Sequence, residues 1–335
     1  MPRRIAMPRM SQADAALLAQ ELGRERGLDR RALGHWGPLL DYCAGNPLTL
    51  RVIVGQAVRQ GLASGAQIAR FVQAVRDGEQ GIQDVDAAEG RDRSLAASLD
   101  YGFRHAFRAD ELPIIALLHL FQGTVDVNVL VWMGEDEYAL PQLQGKTAEQ
   151  LAGLLDRAAE AGLLTHLGST YYTIHPALPW YLKALHDEHY PLTPTLSPQG
   201  RGGRSSDEMP SSPWEGEGLG VRVNPLRAWV EAMGGLGNYY LNQYINGNRG
   251  VIQALALEEA NLRAARRAAR RHGWWGLPVI GAMQGLRTLY EYQGRTAEWA
   301  RLVAEIVPDY CTAIDGPIPG REEGYSLVME YRVDL

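Results

Sequence analysis

The segment Thr147-Ala148-Glu149-Gln150-Leu151-Ala152-Gly153-Leu154-Leu155-Asp156-Arg157-Ala158-Ala159-Glu160-Ala161-Gly162-Leu163-Leu164-Thr165-His166-Leu167-Gly168-Ser169-Thr170-Tyr171-Tyr172-Thr173-Ile174-His175-Pro176 changes character half-way along. Its first half reads as a helix from Thr147 to Ala161. Thr147 followed by Gln150 is a capping box, in which the hydroxyl takes an orphan amide of the first turn and the glutamine returns the bond. Beyond this helix the pattern becomes β-prone. Gly162 to Leu167 and Tyr171 to Ile174 are two short runs joined by Gly168-Ser169, the composition of a hairpin.

Helices flank this segment on both sides. Upstream, Ser11 can cap a helix through Ala15, Leu17, Leu18 and Leu22 that Gly23 stops. A second helix spans Arg31 to Ala44. Pro47 then opens an apolar helix through Leu48, Leu50, Val52, Ile53 and Val58, at a position where its missing N–H costs nothing. Another helix covers Gly65 to Val75, and residues 78–92, charged and glycine-rich, read as a connection. Leu95 to Phe107 and Glu111 to Phe121 follow as helices. Helices closed by one small hairpin form the winged-helix pattern, which assigns residues 79–190 to a winged-helix domain.

Downstream, Pro, Gly and Ser supply 16 of the 33 residues from 191 to 223. Such a segment cannot bury enough apolar surface to order itself and reads as a disordered low-complexity insert. From Asn224 the chain is helical again: Asn238-Tyr239-Tyr240 in one helix, Ala254 to Arg271 in another, Leu277 to Gln293 in a third. Gly294-Arg295-Thr296-Ala297-Glu298-Trp299-Ala300 then turns into a new helix. Residues 224–335 are therefore similar to tetratricopeptide-like helical hairpins, which stack in pairs. The expected fold class is mainly α.

The bulk numbers narrow the function. A net charge of −6 and a pI near 5.8 argue against a dedicated nucleic-acid binder. Two cysteines, Cys43 and Cys311, are too few for a disulfide framework and fit a reducing compartment. Cys43 lies beside Leu39 and Leu40, the setting of a buried inert thiol. No run approaches a membrane span and the N-terminus lacks the apolar stretch of a signal peptide, so a soluble, cytoplasmic protein is expected.

Two short phrases carry a family resemblance. Gly45-Asn46-Pro47-Leu48 is similar to the G-x-P-L motif of STAND signalling ATPases, the class that includes NB-ARC proteins, and Thr173-Ile174-His175-Pro176 is similar to their winged-helix histidine position. Ile5 to Ser11, with Ala15-Ala16-Leu17-Leu18, matches the second half of the phrase that follows their sensor strand. The resemblance implies that residues 1–78 are the remnant of a nucleotide-binding module and its helical lid. It also implies that Pro47 packs against adenine and that His175 contacts the β-phosphate of bound ADP. A rigid apolar face suits a base plane, and a histidine opening a helix can donate to phosphate with the help of the helix dipole.

The chain departs from the family in one large respect. No G-x-x-x-x-G-K-[ST] occurs. Gly145-Lys146-Thr147 is explained by the capping box, and Leu140 stands where the first glycine is needed. The acidic metal-binding strand is also missing. The chain alone is therefore expected to be no enzyme and to need no cofactor, ADP or ATP belonging to the intact family, and it reads as a fragment cut at both ends.

Other motifs are less specific. His186-Asp187-Glu188-His189 sets two imidazoles one turn apart, a metal pair without a third ligand, and reads better as a solvated helix end. Arg263, Arg266, Arg267, Arg270 and Arg271 recur at spacings of three and four along one helical face. That stripe can bind an acidic peptide or phosphates. Glu258 and Glu259 one turn earlier also allow pairing within the helix, so a solvated or internally paired face is the plainer reading.

The leading expectation is a regulatory and sensor fragment of a STAND-type signal-transduction ATPase. It would meet protein partners through its helical repeats, with scope for self-association. Alternatives are a winged-helix transcription regulator and a free-standing scaffold of tetratricopeptide-like repeats. The regulator needs a basic recognition helix, whereas Ala148 to Ala161 offers Arg157 against Glu149, Asp156 and Glu160.

Overall fold

The computed structural model describes residues 10–25, 35–62, 64–81, 106–135, 137–176, 178–191 and 224–333. The expected helix Leu95 to Phe107, apart from its last two residues, and nearly all of the 191–223 insert lie outside them, as does the phrase before Met10. The described residues form thirteen α-helices, one 3-10 helix and three strands.

Four helices come first: α1 (Gln12–Glu25), α2 (Gly37–Cys43), α3 (Pro47–Arg59) and α4 (Gly65–Gly81). Ser11 caps α1, its hydroxyl oxygen accepting the Asp14 N–H at 3.1 Å. Gly23 does not stop that helix, which runs two residues further. The expected helix Arg31 to Ala44 is described from residue 35 onward: α2 starts at Gly37, and Ala44, left-handed at φ 47°, ends it one residue early. Helix α4, by contrast, continues past Val75 into the charged stretch expected to connect domains. Leu22, Trp36, Leu39, Leu50, Ile53 and Phe71 share a buried core among these four helices.

The expected helix Glu111 to Phe121 is two pieces, α5 (Leu112–Ala116) and a 3-10 turn (Leu117–Leu120). Phe121 leaves the helix in an extended conformation and packs edge-on against Trp229, with centroids 6.0 Å apart. It leads into β1 (Thr124–Asp126) and α6 (Val127–Trp132), neither of which the sequence announces. Helix α7 (Ala148–Glu160) opens with the complete capping box. Gly162, left-handed at φ 81°, separates it from β2 (Leu164–Gly168), so the first hairpin strand starts two residues later than expected. Strand β3 (Tyr171–Ile174) pairs antiparallel with both others, giving the order β1-β3-β2. In β1, Val125 stands opposite Tyr172 and Asp126 opposite Tyr171. Ser169, at φ 52°, makes the tight turn. Helix α8 (Pro179–His189) follows.

The remaining helices are α9 (Pro225–Ile245), α10 (Val251–His272), α11 (Leu277–Gln293), α12 (Thr296–Tyr310) and α13 (Glu322–Val333). Asn224 caps α9 by accepting the Leu226 N–H at 3.0 Å. Gly273 and Gly294, at φ 73° and 68°, end α10 and α11 in the left-handed region that glycine adopts without strain. Glycines let α9 and α11 meet backbone to backbone: a methyl on Gly237 would collide with the Gly281 carbonyl. One contiguous apolar core runs from Leu48 and Val52 through Val125 and Tyr172 to Trp229, Leu286 and Tyr331. Helix α3 contributes Leu48 and Val52 to this core and Leu50 and Ile53 to the first, so it joins the two.

Candidate functional site

Pro47 opens α3, and His175 follows β3 within the electrostatic reach of Arg51 on α3. Pro47 occupies the first turn of α3 and is exposed, while Leu48, Thr49 and Leu50 behind it are buried. Asn46 fixes the start of the helix, its side-chain oxygen accepting the amides of Leu48 at 3.0 Å and Thr49 at 3.3 Å. Helix α3 then crosses the end of α7 at very short range. A methyl on Gly55 would lie 2.6 Å from the Glu160 carbonyl oxygen, and one on Gly162 would lie 3.0 Å from the Arg51 backbone. Only glycine permits that approach.

The crossing brings Arg51 into the field of His175. Arg51 is four residues beyond Pro47, on the same helical face. Burial holds the His175 imidazole below its ordinary range, and the Arg51 charge adds to the effect. His175 follows β3 directly, where the Ile174 N–H donates to the Gly123 carbonyl at 2.7 Å. One expectation fails here: His175 does not open a helix. Its carbonyl accepts the Leu178 amide in a turn, and α8 begins only at Pro179. A helix dipole therefore lends His175 no field. What remains is an exposed apolar proline, the Arg51 guanidinium and an imidazole whose charged form burial disfavours.

The arginine stripe divides. Arg266 is 2 % exposed and pairs with Glu305 of α12. Arg270 bonds Asp309 and donates to the Glu305 carbonyl at 2.7 Å. Arg263 reaches Glu259 at 3.6 Å, within its own helix. The Arg266 hydrogen bond holds the Glu305 carboxyl below its ordinary range. Arg267 and Arg271 are exposed. The inner edge of the stripe thus ties α10 to α12.

Other sequence candidates find local explanations. His186 packs against His119 and Tyr190, with ring centroids 5.3 Å and 5.0 Å away, and burial lowers its pKa. Among the described residues no group of three or more His, Cys, Asp or Glu could hold a metal ion. The Thr147 hydroxyl accepts the Gln150 amide at 3.3 Å in the capping box. Burial pushes the Cys43 thiol up, away from reactivity. No described helix is long and apolar enough to cross a membrane.

A buried polar cluster joins the sheet to α10, and nothing in the sequence marks it. Asp126 and Glu258 are each fully buried. Asn261 donates to Glu258 at 2.7 Å and to the Thr124 carbonyl at 2.8 Å, and accepts the Gln122 amide at 2.6 Å. The Tyr171 and Tyr240 hydroxyls meet at 2.6 Å. Burial raises Glu258 to about 8, with the Asp126 charge adding to it, and burial raises Asp126 as well. The signal available in the sequence was only Glu258 lying three residues before Asn261 on one helical face.

Set beside known proteins, the chain has no match among family models, curated proteins or solved structures.

Proposed function

We propose that this chain is the regulatory and sensor portion of a STAND-type signal-transduction ATPase. In this reading α1 to α4 are the helical lid, residues 79–190 a winged-helix domain, and α9 to α13 tetratricopeptide-like repeats that meet a protein partner. The observation that supports it is that Arg51, on the helix Pro47 opens, acts electrostatically on His175. Pro47 is exposed at the start of α3, and His175 lies within the field of Arg51, one turn along the same helix. Arg51 adds a cation beside the imidazole, which suits a nucleoside diphosphate. The chain itself would hydrolyse nothing, because the phosphate loop is not in its sequence.

Reading a transcription regulator into α7 is less favoured. Arg157, the single basic residue of that helix, bonds Glu111, and Asp156 accepts the Tyr172 hydroxyl at 2.7 Å. A helix so committed offers phosphate little.

The test begins with the coding DNA upstream of Met1, where a G-x-x-x-x-G-K-[ST] region is expected within about 200 codons, the span of one domain. A chain extended to include it should bind ADP, and His175→Ala should weaken that binding about tenfold, the loss of one charge-assisted contact. Absence of the region, or unchanged ADP affinity in the variant, overturns the proposal.

A further inference from the structure

A cleft of about 350 Å³ opens between the end of α6 and the α9–α11 pair, walled by Trp132, Tyr138, Tyr239, Glu135, Glu137 and Glu231. Among the described residues its lining contains three aromatic rings and three carboxylates but no lysine, arginine or histidine. Trp132 and Tyr239 meet edge to face, with centroids 5.7 Å apart at 71°. Tyr239 is 46 % exposed, so its ring is offered to the cleft rather than consumed by the core. Glu135 and Glu137 are exposed, and neither forms an ion pair with a described residue.

The wall already holds one cation. Just outside the lining, Arg227 lies 4.5 Å over the Tyr138 ring and 4.6 Å over Trp274, and pairs with Glu231. It neutralises Glu231 from behind and leaves Glu135 and Glu137 facing the opening. Aromatic faces attract cations through the ring quadrupole, most strongly those that shed water easily. Carboxylates at the rim raise the local concentration of such ligands and repel anions.

We propose that this cleft binds a compact organic cation of the guanidinium or quaternary ammonium class. Its volume suits one such group, at the small end of ligand pockets. A free metabolite and a side chain presented by a partner protein can each supply it. The inference is independent of the nucleotide reading, since neither Pro47 nor His175 takes part.

Two probes cover the two head groups: tetramethylammonium chloride for the quaternary ammonium class, and N-acetylarginine amide for the guanidinium class, blocked at both ends as in a presented side chain. Each is titrated into the full chain and followed by saturation transfer on its own NMR signals, with sodium chloride at equal ionic strength as control. Saturable binding of at least one is expected. Trp132→Ala should weaken it about tenfold, a loss within the range of one cation–π contact. Gly235 supplies a second variant: it lines the cleft, and an added Cβ meets nothing within 4 Å. Gly235→Phe should plug the cleft and abolish binding while circular dichroism stays native. No saturable binding of either probe overturns the proposal, as does binding that survives Gly235→Phe.

Discussion

Glu258 is the residue whose environment departs furthest from what its type requires. A carboxyl without an adjacent cation is costly to ionise in a dry setting, so the folded protein keeps it protonated up to about 8, against an ordinary 4.5. The folded state therefore binds a proton that the unfolded chain has released. Stability from this group is fully present below pH 4.5 and is lost as pH rises toward 8. Asp126 shifts in the same direction. His119, His175 and His186 shift downward from 6.5, so their contributions fall away below that value instead. Between pH 6.5 and 8 the carboxyl governs, with a slope of up to about 1.4 kcal/mol per pH unit. Glu258→Gln, which keeps the Asn261 partner and removes the titration, should flatten the curve of thermal midpoint against pH in that window. An unchanged slope in the variant would show that Glu258 is ionised in the folded protein.

Two glycines of one helix should respond in opposite directions. Gly235 and Gly237 both lie within α9, where alanine gains about 1 kcal/mol of helix propensity over glycine. Gly235 faces open space, so Gly235→Ala should raise the denaturation midpoint. A methyl on Gly237 collides with the Gly281 backbone, which cannot swing aside as a side chain can. Gly237→Ala should lower the midpoint, by about 1–3 kcal/mol for an overpacked contact. Chemical denaturation of the two single variants decides it, and equal signs would refute the packing. Element punctuation of this kind was largely readable in the sequence. The Thr147–Gln150 capping box, the Pro47 helix start and the turn at Gly294 are local chemistry, which needs no knowledge of the fold. Strand β1 was not readable, since three residues carry no periodicity and two helices and a strand separate it from its partner β3. The extended exit at Phe121 coincides with its contact to Trp229 in a distant helix, which local sequence does not announce. At the candidate site the phrases around Pro47 and His175 were visible. Arg51 could have been found one turn from Pro47, whereas the buried Glu258 could not, because only packing takes it out of water.

Across the whole molecule, the decisive feature is that the small sheet and the helices after residue 224 share one core. Trp229 of α9 is 2 % exposed and meets Phe121 at the entrance to β1. Asn261 of α10 bonds the same stretch at Gln122 and Thr124. Apolar contact and polar pinning therefore act at one junction, and neither side is complete alone. Trp229→Ala should cost about 3–5 kcal/mol, the usual loss for an aromatic removed from a packed core. Because the core is continuous, that loss should fall on both sides of the junction. Native-state hydrogen exchange should show lower protection of the β3 amides at Tyr172 and Ile174 together with those of α9, by similar free energies. The four N-terminal helices have their own core and touch the larger one through α3, so their amides should lose less. Loss confined to α9, with β3 unaffected, would mean that the sheet stands on its own and that Phe121 merely lies against the repeats.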